Sequence, residues 1–222
     1  MPAQAVLFDV DGTLIDSVDL HAQAWQEALA KFGCRATFEE VRHQIGKGGD
    51  QLMPVFLSED RVAVVGEELE RYRGEIWSEK YMKRVWAFPG VRKLFQALRR
   101  RGIRIALASS AKEDELAVYK QLLEVEDLIE DRAAATEVKK SKPHPDSFRA
   151  ALQSLGKIPL EQVWVVGDTP WDAIAAHRLG VGTIGVLCGG FPEEDLRAAG
   201  CAAIYAGPEA LLASLDDSPL VR

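Results

Sequence analysis

The sequence predicts an α/β fold: a parallel sheet covered by helices on both faces, interrupted after its first strand by an all-helical insert. Three observations point there. From about residue 87 onward, short apolar runs alternate with helical patterns, as a parallel sheet requires. One more apolar run, AVLF at 5–8, stands far ahead of the others. Between them, residues 16–86 carry helical spacing and no strand signal.

Each element follows from local pattern. Ala5, Val6, Leu7 and Phe8 are consecutive apolar residues, the mark of a strand buried on both faces. Asp16 or Ser17 can cap a first helix with Trp25, Ala28, Leu29 and Phe32 on its apolar face. Thr37 and Glu40 have the spacing of a capping box for a second. A third starts near Ser58 and carries Val62, Val65, Leu69, Tyr72 and Ile76 at steps of three and four. Phe88-Pro89-Gly90 marks the return, so 16–86 reads as a cap domain and 1–15 with 87–222 as the core domain.

In the core, IRIALAS (103–109) is a strand, followed by a helix with Leu116, Tyr119, Leu122 and Leu123 on one face. DRAAAT (131–136) is a weaker strand candidate. Phe148, Ala151, Leu152 and Leu155 give a helix over 145–155, stopped by Gly156. VWVVG (163–167) is a strand, 171–179 a helix ended by Gly180, GTIGVL (182–187) a strand, and AAIY (202–205) the last. Trp164, among valines, reads as core.

Bulk properties narrow the function. With 47% hydrophobic and 27% charged residues, the 222-residue chain has an ordinary globular composition. A net charge of −7 argues against nucleic-acid binding, because phosphate backbones attract basic proteins. Three scattered cysteines without a CxxC pair fit reduced thiols. No signal-peptide pattern precedes the acidic motif at residue 9, and no apolar run reaches the ~18 residues a membrane span needs. The expectation is a cytoplasmic protein without membrane contact, and the Glu- and Arg-rich third cap helix is that of a solvated monomer.

The chemistry gathers at strand ends. Open parallel sheets bind ligands beyond the carboxyl ends of their strands. The first strand ends in Asp9 and Asp11, followed by Gly12 and Thr13; IRIALA ends in Ser109-Ser110; VWVVG ends in Asp168, with Asp172 four residues on. Lys142 stands in KKSKPHPD just before a helix. Each has a plainer explanation alone. Asp-Gly is common turn chemistry, serines cap helices, acids suit helix starts, and lysine runs are often solvated. Together, three carboxylates, a hydroxyl and an ammonium at one sheet edge describe a site for a divalent cation and a phosphate.

DVDGT, the strand-terminal serine of ALASS, SKP and GDTPWD stand in this order along the chain. In these motifs, over its whole length, the chain resembles the haloacid dehalogenase-like superfamily, in the branch with a helical cap after the first strand. That branch includes phosphoglycolate phosphatases, sugar-phosphate phosphatases and β-phosphoglucomutases. The resemblance implies a Rossmann-like core and a Mg²⁺-dependent phosphatase acting on a small phosphorylated metabolite. It makes Asp9 the nucleophile that forms an aspartyl-phosphate and Asp11 the general acid and base. Mg²⁺ would be held by the side chains of Asp9 and Asp168 and the backbone carbonyl of Asp11. Ser109, with Ser110 beside it, would bind a phosphoryl oxygen, Lys142 would neutralise charge there, and Asp172 would orient Lys142 or hold a metal-bound water.

Asp11 argues against dehalogenase and phosphonatase chemistry, which lack an aspartate there. A phosphosugar mutase stays open as the alternative, though Gly167 stands where mutases often carry another acid. Substrate choice is expected from RHQIGKGGDQ (42–51), whose glycines let backbone approach a ligand and whose Lys47 is the candidate contact. Trp171 is expected to pack under the metal loop, and CGGF (188–191) is read as a turn near the sheet's edge without chemistry.

Overall fold

The computed structural model describes residues 2–109, 111, 113–130 and 140–222. The strand candidate DRAAAT, Lys139 and Ser110 lie outside the described residues. Strand β1 (Ala5–Phe8) is followed by the two-residue β2 (Ile15–Asp16) and by helices α1 (Val18–Lys31), α2 (Phe38–Arg42), α3 (Gly49–Phe56) and α4 (Glu59–Ile76). The chain returns through β3 (Trp86–Ala87), α5 (Val91–Arg100), β4 (Arg104–Leu107), α6 (Glu113–Leu123) and α7 (Asp146–Ser154). It ends in β5 (Val163–Gly167), α8 (Pro170–Leu179), β6 (Gly182–Val186), α9 (Glu193–Ala198), β7 (Ala203–Tyr205) and α10 (Pro208–Ala213).

Five strands make one parallel sheet in the order β4-β1-β5-β6-β7. The apolar run at 5–8 therefore occupies a central strand. Its side chains alternate between two cores, as the period of a strand dictates. Val6 and Phe8 join Phe95, Leu98 and Tyr119 on one face, with the Phe8 and Phe95 rings 4.7 Å apart. Ala5 and Leu7 join Phe148, Val165 and Ala176 on the other. In register, Phe8 faces Leu107 on one side and Val166 on the other. That register alone sets the ends of β1, β4 and β5 level, and Asp9 between residues 108 and 167.

The helices α1 to α4 enclose a core of their own, with Trp25, Leu29, Leu52 and Leu69 buried in it. Thr37 and Glu40 do form a capping box. The Ser58 hydroxyl accepts from Arg61 N at 3.4 Å at the head of α4.

Three features differ from the sequence reading. Ser17 occupies the N-cap position of α1 but makes no capping hydrogen bond, because its hydroxyl donates to Asp11 instead. A helix that the sequence reading left out, α3, runs over 49–56 despite Pro54. The strands β2 and β3 pair antiparallel at the root of the cap, where Trp86 Nε1 donates to Asp16 Oδ2 at 3.0 Å. Two residues per strand are too few to leave a periodic signal.

On α6, Leu122 is 40% exposed and Glu115 is buried. The buried stripe runs Glu115, Tyr119, Leu123 at steps of four, not through Leu122. Trp164 is half-buried, its ring lying over Gly182.

Candidate active site

The loop leaving β1 is wound tightly around the Val10 carbonyl, which accepts from the N–H groups of Leu14 at 2.8 Å and Ile15 at 3.0 Å. Gly12 makes the turn at φ +83°, and a Cβ there would fall 2.3 Å from Asp168 Oδ2. Only glycine permits both the conformation and the approach. The turn delivers the Thr13 hydroxyl to two acids, 2.9 Å from Asp168 Oδ1 and 3.2 Å from Asp9 Oδ2. With one proton to donate, it is shared between them.

Asp168 and Asp172 are set by the start of α8. Thr169 and Asp172 form a capping box, in which Asp172 Oδ2 accepts from Thr169 N at 3.0 Å and Oγ1 at 2.7 Å. Its other oxygen, Oδ1, is 2.7 Å from Lys142 Nζ. The helix-start and lysine-orienting readings of Asp172 thus hold together, one on each oxygen. Lys142 also hydrogen-bonds to Asp9 Oδ1, and its ammonium lies 5.2 Å above the Phe148 ring.

Asp9, Asp168 and Asp172 each offer an oxygen, and these lie within 4.8 Å of one another, all buried. Burial pushes Asp9 up to about 7, with Lys142 pulling down and the charges of Asp172 and Asp11 adding to the rise. Burial also raises Asp168 well above the usual carboxylate range, helped by the charges of Asp9 and Asp172. The same carboxylates, working against burial, hold Lys142 protonated. Three buried carboxylates against one ammonium leave a deficit of positive charge. Asp168 Oδ2 has no hydrogen-bond partner, a costly state for a buried anion. A divalent cation suits that oxygen-only donor set.

Asp11 takes a separate environment. Its Oδ1 accepts from Ser17 Oγ at 2.6 Å and pairs with His21 Nε2 at 3.0 Å. Burial would raise it, but His21 and the hydrogen bonds from Ser17 and Tyr119 win and hold it below the usual range. Two aspartates two residues apart are therefore driven in opposite directions by their surroundings. His21 is missing from the sequence reading. The signal was available: it lies four residues before Trp25, a polar group on the apolar face of α1, and it stacks on Trp77 with centroids 3.6 Å apart.

The acids open into a cavity of about 450 Å³ between the sheet edge and the cap. Asp9, Asp11 and Lys142 line it from the core, and Trp25, Lys47 and Arg73 line it from the cap. Lys47 does reach the cavity, but its Nζ donates to Gln44 Oε1 at 2.6 Å and sits 4.0 Å over the Trp171 ring. Trp171 therefore lies against the cap loop through Lys47. Ser109 Oγ accepts from Ala111 N at 3.0 Å, so it shapes the turn after β4.

Two of the three 42–51 glycines, Gly46 and Gly48, meet the core directly, whereas Gly49 packs on Glu70 of α4. A Cβ on Gly46 would fall 2.7 Å from Thr169, and one on Gly48 would fall 2.0 Å from Ser141 Oγ. The loop at 188–191 is likewise more than a turn at the sheet's edge. Strand β6 lies next to β5, so Gly189 reaches Asp168, where a Cβ would sit 1.8 Å from Oδ2.

The sequence pattern described as haloacid dehalogenase-like hydrolase matches residues 6–186, which span β1 through β6. The chain belongs to that family. This haloacid dehalogenase-like hydrolase is 27% identical to the phosphorylated carbohydrates phosphatase of Thermotoga maritima, over 94% of its own length and 96% of the relative's. It is 29% identical to the pyrophosphatase PpaX of Bacillus pumilus, over 86% of each chain. Its fold is similar to the crystal structure of a hydrolase from Pseudomonas syringae, with a TM-score of 0.81, 28% identity and coverage of 96% and 98%. Among the described residues, no helix is long and apolar enough to cross a membrane.

Proposed function

We propose that this hydrolase is a Mg²⁺-dependent phosphatase that cleaves a small phosphate monoester, of the sugar-phosphate or phosphoglycolate type, through an aspartyl-phosphate on Asp9. The observation that carries the reading is Asp9 itself, tied to Lys142 by one oxygen and close to Asp168 through Thr13. A relative named for phosphorylated carbohydrates supports the substrate class.

Asp9 attacks phosphorus while the bond from phosphorus to the leaving oxygen breaks, and Asp11 gives that oxygen its proton. Water then attacks the phosphoryl group, Asp11 takes the water's proton, and the bond to Asp9 breaks to release inorganic phosphate. Asp9 and Asp168, with the Asp11 carbonyl, would hold Mg²⁺, which supplies positive charge to the phosphoryl oxygens when bound. Lys142 adds a second positive charge beside Asp9, and Ser109 contributes donors at the end of β4. Asp172 keeps Lys142 in place.

The test is a panel of phosphorylated metabolites with the purified protein, with Mg²⁺ and with EDTA, reading both free phosphate and isomerised sugar phosphate. Phosphate release that EDTA abolishes is the expected result. Isomer in place of phosphate would convert the reading to a mutase, and inertness towards the whole panel would remove it.

A further inference from the structure

One cation on the cavity wall has no bonding partner. Among the described residues there, Lys142 meets Asp9 and Asp172, Arg71 pairs with Glu75, and Lys47 donates to Gln44. Arg73, on α4 of the cap, lines the same cavity and makes no such bond; its Nε is buried without a hydrogen-bond partner. Glu70, three residues earlier, packs on Gly49 instead of pairing with it. The indole N–H of Trp77, four residues on and also on the wall, is buried without an acceptor as well. Buried donors left unbonded are costly, and an incoming acceptor removes that cost.

What holds Arg73 is an aromatic face. The centre of its guanidinium lies 5.2 Å from the centre of the Trp25 ring, and Trp25 is itself buried in the cap core. A guanidinium on a ring face is fixed in place while its N–H edges stay free. That planar fork suits two-point contact with a carboxylate or a phosphate. The phosphoryl end of a substrate belongs to the core wall, where Asp9 and Lys142 stand. A cavity of about 450 Å³ leaves the rest of the molecule to extend toward the cap.

We propose that Arg73, seated on Trp25, receives a second anionic group, a carboxylate or a further phosphate, carried by the leaving-group part of the substrate. Esters that bear such a group are thereby selected over those that do not. The choice of substrate class rests on the phosphatase reading and sharpens it.

The test uses substrate pairs matched apart from the second anion. These are phosphoglycolate against 2-hydroxyethyl phosphate, 3-phosphoglycerate against glycerol 3-phosphate, and fructose 1,6-bisphosphate against fructose 6-phosphate. The first two pairs add a carboxylate and the third a phosphate, so the pair that responds identifies the anion. In the wild type, kcat/KM for the doubly anionic member of at least one pair exceeds that of its partner by about tenfold or more, as a charge-assisted hydrogen bond allows. In Arg73→Met that member falls about tenfold, while its partner changes less than about threefold. Arg73→Lys, which keeps the charge but loses the fork, retains part of the preference.

No preference in the wild type for any pair would overturn the proposal. Equal losses on both members in Arg73→Met would also overturn it and make Arg73 a structural residue of the cap. Calorimetry with phosphonates, which the enzyme cannot hydrolyse, separates this inference from the phosphatase reading. The wild type should bind 3-phosphonopropionate or propane-1,3-diphosphonate more tightly than propylphosphonate, and Arg73→Met should bind all three alike. That result in a protein that turns over no ester would remove the phosphatase reading and keep Arg73 as the anion receptor. Equal binding of the three by a wild type that does turn over esters would remove the role of Arg73 alone.

Discussion

The guanidinium of Arg42, at the end of α2 in the cap, donates to the Gly189 carbonyl at 3.0 Å, on the loop that walls Asp168. A neighbouring contact has the same character: Asp50 at the start of α3 accepts from Ser141 N at 3.2 Å, one residue before Lys142. The cap thus grips the core at loops that carry the site, and seating it over the cavity fixes those loops.

Replacing Arg42 should therefore affect catalysis from a distance. Arg42→Ala loses the Gly189 contact and the pair with Asp19, so the closed arrangement is populated less. Because the contact is partly solvated, the expected loss is modest, about five- to tenfold in kcat/KM, with no change in the pattern of accepted substrates. Steady-state kinetics on two unrelated phosphate esters measures it.

Gly189→Ala tests the wall itself. A methyl group there falls 1.8 Å from Asp168 Oδ2, so the carboxylate or the loop must move. Mg²⁺ affinity, read by titration calorimetry, should drop at least about tenfold. Gly102→Ala is a useful contrast, since no atom lies within 4 Å of its Cβ position. Its φ of +75° makes some strain inevitable, but Mg²⁺ affinity should be unchanged.

Lys142→Met removes the ammonium that Asp9 and Asp172 share. Breaking a buried pair from one side leaves uncompensated charge, which costs about 3–5 kcal/mol. In the absence of Mg²⁺, chemical denaturation should register a loss of that order together with loss of turnover. A variant as stable as the parent would mean that the carboxylates do not depend on Lys142.

The raised Asp9 gives a pH prediction with a definite sign. Its folded value of about 7 exceeds the ordinary 3.8, so the folded protein binds the extra proton between those values. Asp9 then contributes stability at low pH that is lost as pH rises through about 7. Asp9→Asn lacks this dependence. Measured in EDTA by thermal melts, the variant should gain on the wild type from pH 4 to pH 7 and hold that advantage above it. Added Mg²⁺ should close the gap.

Lys47→Ala should change the relative rates within a metabolite panel more than the rate on p-nitrophenyl phosphate, since Lys47 lines the cavity from the cap. Equal losses would assign Lys47 to loop support through Gln44 and Trp171.

The sequence made the sheet and the acid cluster legible because both follow from short-range rules. Four apolar residues name β1, and register then fixes where Asp9 and Asp168 must end up. Lys142 was legible through the motif around it, whereas its bond to Asp9 spans 133 residues and has no local cause. What stayed hidden depends on packing between distant segments. The burial of Glu115 left no mark in the apolar pattern of its helix, and Ser17 reads as a cap until Asp11 captures its hydroxyl. The cap's grip on Gly189 leaves no pattern at all, because a side chain that reaches a backbone carbonyl selects no residue type at the other end.

The most direct test of the central claim is rapid acid quenching of the enzyme turning over with Mg²⁺ and a phosphate ester, followed by peptide mass spectrometry. A phosphoryl group on the peptide carrying Asp9, absent from Asp9→Asn, is the predicted result. Turnover that leaves Asp9 unmodified at every quench time, or a phosphoryl group on any other residue, would contradict it.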